Sequence, residues 1–197
     1  PNHLLKNALP RQFFDHLHGV AIQNPDLAFA FVQASELPPI GVMAEVPAAV
    51  FQARALARRV DFLSVGSNDL TQYLLAVDRN NARVADLYHS LHPAVIQALA
   101  SVAQACRTEG KPVSICGELA GDPEGAVLLL AMGYDVLSMN STSLPRVKKA
   151  LRSIRLSEAQ DLLAQVLSLE DVSAVYQHIQ LFLAEHGLGQ FIHNPVD

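Results

Sequence analysis

The stretch Ser64-Val65-Gly66-Ser67-Asn68-Asp69-Leu70-Thr71-Gln72-Tyr73-Leu74-Leu75-Ala76-Val77-Asp78-Arg79-Asn80-Asn81 contains the transition that decides the fold. The apolar run Val60 to Val65 stops at Gly66 and delivers Ser67, Asn68 and Asp69. A helix-forming run follows directly, and Arg79 comes ten residues after Asp69. A buried strand whose C-terminal edge presents a carboxylate and an amide is how α/β folds build catalytic mouths. Asn68 and Asp69 also stand where main-chain N–H groups at a helix start can hold an anion. A hard cation, a phosphate and an arginine clamp all fit there.

Working outward, the same unit recurs at irregular spacing from Pro38 onward. Ile40 to Val46 reads as a buried strand, and Pro47 suits the first turn of a helix running to about Arg59. Val60 to Gly66 is a second strand, with a helix through about Ala76. Pro93 to Glu109 carries apolar residues at helical spacing and ends at Gly110, a good C-cap. Pro112 to Cys116 is a third strand, closed by Gly117-Glu118. Pro123 to Met132 is a helix stopped by Gly133. Tyr134 to Met139 is a fourth strand, with Leu144 to Ile154 helical beyond. Strand, polar edge, helix, four times over, predicts an α/β fold of parallel βα units. Four units make half of an eight-fold barrel, since a full one needs about 250 residues. Two amphipathic helices, near Ser157 to Leu167 and Leu169 to His186, close the chain before Gly187. The segment 1–37 is aromatic- and His-spotted without a strand period, and only a short helix near Asp26 to Glu36 is placed in it.

Composition narrows the function classes. Half of the 197 residues are hydrophobic and 17% are charged, a soluble globular composition at its apolar end, as expected for buried parallel strands. The formal charge of −5, with Lys and Arg scattered, offers no basic field for nucleic acid. No apolar run is long enough to cross a bilayer, and no charged-then-apolar leader is read at the start. Two cysteines make no disulfide framework, so a cytoplasmic, reducing setting is expected. The chain opens on Pro rather than Met, as expected of a piece of something longer.

Five residues could support chemistry. Glu45 closes the first strand and Asp69 the second, and two carboxylates from neighbouring strand ends can share one Mg2+ while leaving positions for substrate oxygens. Each equally suits a helix N-cap that binds nothing. Asn68 could position a phosphate or make an Asx-type turn. Arg79 has the planar fork that suits a phosphoryl group, or it forms a surface pair with Asp78. Cys116 ends the third strand before a Gly and so faces the mouth rather than the core. Ordinary thiols keep their proton at neutral pH, which favours an acid over a thiolate nucleophile. Cys106, on the apolar stripe of a helix, reads as packing. The eight histidines form no ligand set.

Taken together, Gly41 to Ala49, Gly66 to Tyr73, Asp78 to Asn81 and Cys116 to Asp122 resemble the phosphoenolpyruvate (PEP)-binding barrel of the PEP-utilising enzymes. They look most like enzyme I of the bacterial phosphotransferase system, in its nitrogen-related form. The resemblance covers 38–197 as a partial PEP-binding (βα)8 barrel domain and leaves 1–37 unassigned. It implies an enzyme that moves a phosphoryl group from PEP to an enzyme histidine and on to an HPr-like phosphocarrier protein, with roles in sugar transport or nitrogen regulation. By that resemblance, Glu45 and Asp69 are the Mg2+ ligands, Asn68, Asp69 and Arg79 hold the substrate, and Cys116 is the catalytic acid that protonates the enolate of pyruvate. The family's further phosphate-binding arginines and its acceptor histidine have no counterpart here. The fragment alone is therefore expected to be inactive, and the full-length parent is expected to be a homodimer. Two alternatives remain at this point: a pyruvate phosphate dikinase or PEP synthase-type barrel, and a non-catalytic dimerisation or regulatory remnant. Glu118-Leu119-Ala120-Gly121 after Cys116-Gly117 resembles enzyme I better than the dikinases.

Overall fold

The computed structural model describes residues 38–191. The segment 1–37, with its expected short helix, lies outside the described residues. Four parallel strands form one sheet in the order β1 (Gly41–Ala44), β2 (Phe62–Gly66), β3 (Val113–Cys116), β4 (Val136–Ser138). Each strand pairs with the next in sequence, with no reversal of order. A doubly wound sheet would reverse; the unbroken order is that of a barrel sector, the expected half of a (βα)8 fold.

The connections are α1 (Pro47–Phe51) and α2 (Ala53–Ala57), α3 (Ser67–Leu75), α4 (Pro93–Thr108), α5 (Glu118–Gly121), α6 (Pro123–Met132) and α7 (Leu144–Ser153). The two closing helices are α8 (Leu156–Val166) and α9 (Val172–Glu185). The expected helix from Pro47 to Arg59 is broken at Gln52 (φ −101°, ψ 5°), and no Pro or Gly there accounts for the break. Elsewhere the punctuation works as its chemistry demands. Pro93, Pro123 and Pro145 sit in first turns, Gly133 closes α6 with φ 89°, and His92 and Asp122 cap α4 and α6 through their side chains.

Register divides the sheet into two faces, because alternate side chains point to opposite sides. Val42 and Ala44, Leu63 and Val65, Val113 and Ile115, and Leu137 share one face. These pack under the helices with Leu99, Val102, Leu128 and Leu129 into the core. The other face carries Met43, Ser64, Gly66, Ser114, Cys116, Val136 and Ser138. No helix among the described residues covers it, and Met43 is 48% exposed and Val136 56%. The expectation of strands buried on both sides therefore holds for one face only. In a closed barrel the second face lines the interior, which a sector leaves open.

Both ends of the sheet carry carboxylates. At the N-terminal end, Asp61 Oδ2 accepts the Ile40 N–H at 2.8 Å and Asp135 Oδ2 accepts the Val113 N–H at 2.8 Å. Each ties the start of one strand to the turn that leads into the next.

Candidate functional site

At the C-terminal end of the sheet, Ala44 pairs with Val65, Gly66 with Cys116, and Cys116 with Ser138. Glu45, Ser67, Asn68, Asp69 and Cys116 consequently emerge at one level of neighbouring strands. Gly66 lets Glu45 close in: a Cβ there would lie 3.1 Å from Glu45 Oε2.

Asn68 is fixed at two points. Its Oδ1 accepts the Glu118 N–H at 3.1 Å, across the β2 and β3 ends, and its carbonyl accepts the Tyr88 hydroxyl at 3.3 Å. This is not an Asx turn. With Oδ1 committed to a donor, the side-chain NH2 is turned to the free side and has no acceptor among the described residues. The Ser67 hydroxyl donates to the Cys116 carbonyl at 2.9 Å, binding the two strand ends together. Gly117 makes this closeness possible. Its φ is +123°, and a Cβ would collide with Ser67 Oγ and stand 2.9 Å from Asn68 Oδ1.

Neither Glu45 nor Asp69 caps a helix. The N-cap of α1 is Val46 and that of α3 is Gly66, and neither helix start has a side-chain cap bond. Among the described residues the two carboxylates have no hydrogen-bond or ion-pair partner, and both are half-buried. The first N–H groups of α3, at Ser67, Asn68 and Asp69, are likewise uncapped, with the positive end of the helix dipole behind them. Thr71, one turn further on, is fully buried; its Oγ1 meets no partner at strict hydrogen-bond geometry among the described residues and lies beside the Tyr88 phenol.

Arg79 is exposed and forms no pair with Asp78, whose Oδ1 accepts the Asn80 N–H instead. Ala76 ends α3 in the left-handed conformation (φ 53°), and the Arg79 N–H then donates to Gln72 Oε1 at 3.4 Å. The Arg79 guanidinium lies beside the Tyr88 oxygen. Burial raises the Tyr88 phenol above its ordinary range. Thr71 and Arg79 beside it work the other way, and Glu118 adds to the burial effect. Cys116 is half-buried on the uncovered face, whereas Cys106 is fully buried on α4. Burial, aided by the Asp135 charge, pushes the Cys106 thiol up to about 11.

The structure thus brings Asn68, Asp69, Glu45 and Cys116 to one rim and carries Arg79 to it through Tyr88. Motif reading did not pick out Tyr88. Its signal lay only in its place on the unpatterned loop after Arg79. Hard-cation chemistry fits the donor set, because Glu45 and Asp69 offer uncommitted oxygens on adjacent strand ends. No group of three or more His, Cys, Asp and Glu side chains is gathered for a metal among the described residues, so further ligands would be substrate or water oxygens.

This rim lies inside residues 16–156, which match the family model of the PEP-utilising enzyme, PEP-binding domain, and the chain belongs to that family. The match reaches upstream of Pro38, into residues where no strand period was legible. The chain is 48% identical over 155 residues to "Phosphoenolpyruvate-dependent phosphotransferase system" proteins of Salmonella typhimurium and Escherichia coli, covering 79% of this chain and 21% of each relative. It is 44% identical over 149 residues to the "Phosphoenolpyruvate-protein phosphotransferase" of Haemophilus influenzae, covering 76% of this chain and 26% of that protein. The chain therefore spans about a fifth to a quarter of the length of these curated relatives. Among the described residues no helix is long and apolar enough to cross a membrane.

Proposed function

We propose that the strand-end rim is part of the PEP site of a PEP–protein phosphotransferase, with PEP and pyruvate as its small-molecule ligands and an HPr-like phosphocarrier downstream. The reading rests chiefly on one observation: an oriented amide, two uncommitted carboxylates, an arginine and a thiol share one edge of a parallel sheet. The Asn68 NH2, the uncapped α3 N–H groups and the Arg79 guanidinium are donors for the phosphoryl oxygens. Glu45 and Asp69 would hold Mg2+, which supplies charge neutralisation for the phosphoryl group and the enolate.

When the phosphoryl group leaves for an acceptor histidine nitrogen, the P–O bonding pair stays on the enolpyruvate oxygen. As that oxygen becomes the ketone, the C2=C3 pair takes the proton from Cys116 Sγ, giving pyruvate and a thiolate. In reverse the thiolate abstracts the methyl proton, so one side chain serves as acid and base. As finer parts of the same reading, the resemblance implies the nitrogen-related branch and a dimeric parent, and the two free cysteines suit a cytoplasmic setting.

The test is Cys116→Ala in a polypeptide of the relatives' length carrying these residues. PEP binding should persist in calorimetry, while deuterium exchange into the pyruvate methyl group and PEP turnover should be lost. Unchanged turnover would overturn the assignment and favour a non-catalytic remnant.

A further inference from the structure

Between Asp78 and His92 the chain leaves the helical layer and passes back over the rim through a series of tight turns. Asn81, Val84, Leu87 and Tyr88 N–H groups each bond to the carbonyl three residues earlier. Asp78 and Asn81 side chains brace the same turns, accepting from Asn80 and Arg83. The loop ends against α9, where Tyr176 meets the His89 ring edge-on, with centroids 6.4 Å apart. A segment fastened this way can deliver Tyr88 to a fixed place. Its hydroxyl donates to the Asn68 carbonyl, while the Arg79 guanidinium stands beside the same oxygen.

Building on the PEP-site reading, we propose that Tyr88 is a positioning residue: its phenol joins the Asn68 peptide to the Arg79 guanidinium and so fixes the arginine toward the anion that the α3 start accepts. The phenol has one proton to give, and Asn68 takes it, which leaves the two oxygen lone pairs for the Thr71 hydroxyl and the Arg79 guanidinium. Arg79 needs such a partner. It is exposed, has no carboxylate paired with it among the described residues, and has a long side chain whose freedom is otherwise lost on binding. Gln72 holds only its main-chain N–H. Buried Thr71 and the Glu118 carboxylate also face the phenol, from α3 and α5. Tyr88 touches the groups that grip the phosphate rather than the reacting atoms.

Tyr88→Phe keeps the ring and removes the oxygen, so it separates this role from packing. In 15N NMR of the full chain, the Arg79 Nε–H signal should move to the position of a free arginine while the amide signals of β2 and β3 stay in place. As a reciprocal check, Arg79→Gln should move the Tyr88 titration upward, because the charge favouring phenolate is gone. In a polypeptide of the relatives' length, PEP affinity should fall roughly tenfold in Tyr88→Phe, the loss of one charge-assisted contact. An unchanged Arg79 signal in Tyr88→Phe together with an unmoved Tyr88 titration in Arg79→Gln would overturn the proposal. If those signals move as expected but a wild-type polypeptide of the relatives' length binds no PEP, Tyr88 still positions Arg79 and it is the PEP-site reading that fails.

Discussion

The two ends of the four-stranded sheet are built from similar residues put to opposite uses. At the N-terminal end Asp61 and Asp135 each accept a main-chain N–H on one carboxylate oxygen. At the C-terminal end Glu45 and Asp69 make no hydrogen bond or ion pair among the described residues, and the helix starts beside them are uncapped. A carboxylate whose oxygens are engaged contributes stability, because removing it strands a main-chain donor. One whose oxygens are open contributes little to the fold and remains available to a ligand. Barrels separate these duties in the same way, with function at the C-terminal face and stability at the other.

The comparison sharpens into measurements with separable outcomes. The largest effect belongs to Asp69→Asn. In a polypeptide of the relatives' length, phosphoryl transfer from PEP should fall by about a hundredfold or more, while the free energy of urea unfolding changes by no more than about 0.5 kcal/mol. Asp135→Ala should behave the other way, costing about 1–3 kcal/mol in urea unfolding through the unsatisfied Val113 N–H and leaving PEP affinity nearly unchanged. If both substitutions acted on stability alone, the division between the two ends would be broken. Gly117→Ala tests where the ends meet. A left-handed residue forced against Ser67 should cost about 1–3 kcal/mol and displace Asn68, so stability and PEP affinity should fall together.

The smallest effect lies far from the rim, on α8. There the Arg155 guanidinium grips Glu158 and, with the Arg155 N–H, holds its carboxyl down to about 2. A depressed carboxyl stabilises the fold above its unfolded value and loses that contribution as pH falls through the folded one. NMR titration should therefore find Glu158 ionised at pH 3 (folded pKa about 2), and Arg155→Ala should return it toward the ordinary carboxylate range.

Much of this division was readable beforehand, for physical reasons. Apolar runs of five or six residues stopped by Gly66 and by Cys116-Gly117 marked strand ends, and Pro93, Pro123, Gly110 and Gly133 marked helix ends by their backbone restrictions. Strand order followed because βα units add neighbours in sequence. What stayed hidden depends on long-range geometry. Tyr88 reaches Asn68 across 20 residues from a loop with no periodicity. The break at Gln52 and the left-handed Ala76 occur at residues that do not announce them. Whether Glu45 and Asp69 cap helices could not be read from spacing, because caps and ligands occupy the same positions along a chain. The open second face was missed because hydropathy cannot tell a strand buried on two faces from one buried on one.

The central claim, that Cys116 opens onto the same space as the phosphate-gripping groups, is most directly tested by thiol alkylation followed by mass spectrometry, with and without saturating PEP and Mg2+, in a polypeptide of the relatives' length. The account predicts that native protein is labelled at Cys116 and not at buried Cys106, and that PEP slows the labelling of Cys116 at least tenfold, an on-the-order-of figure for occlusion by a bound ligand. Equal labelling of Cys116 with and without bound PEP would contradict it.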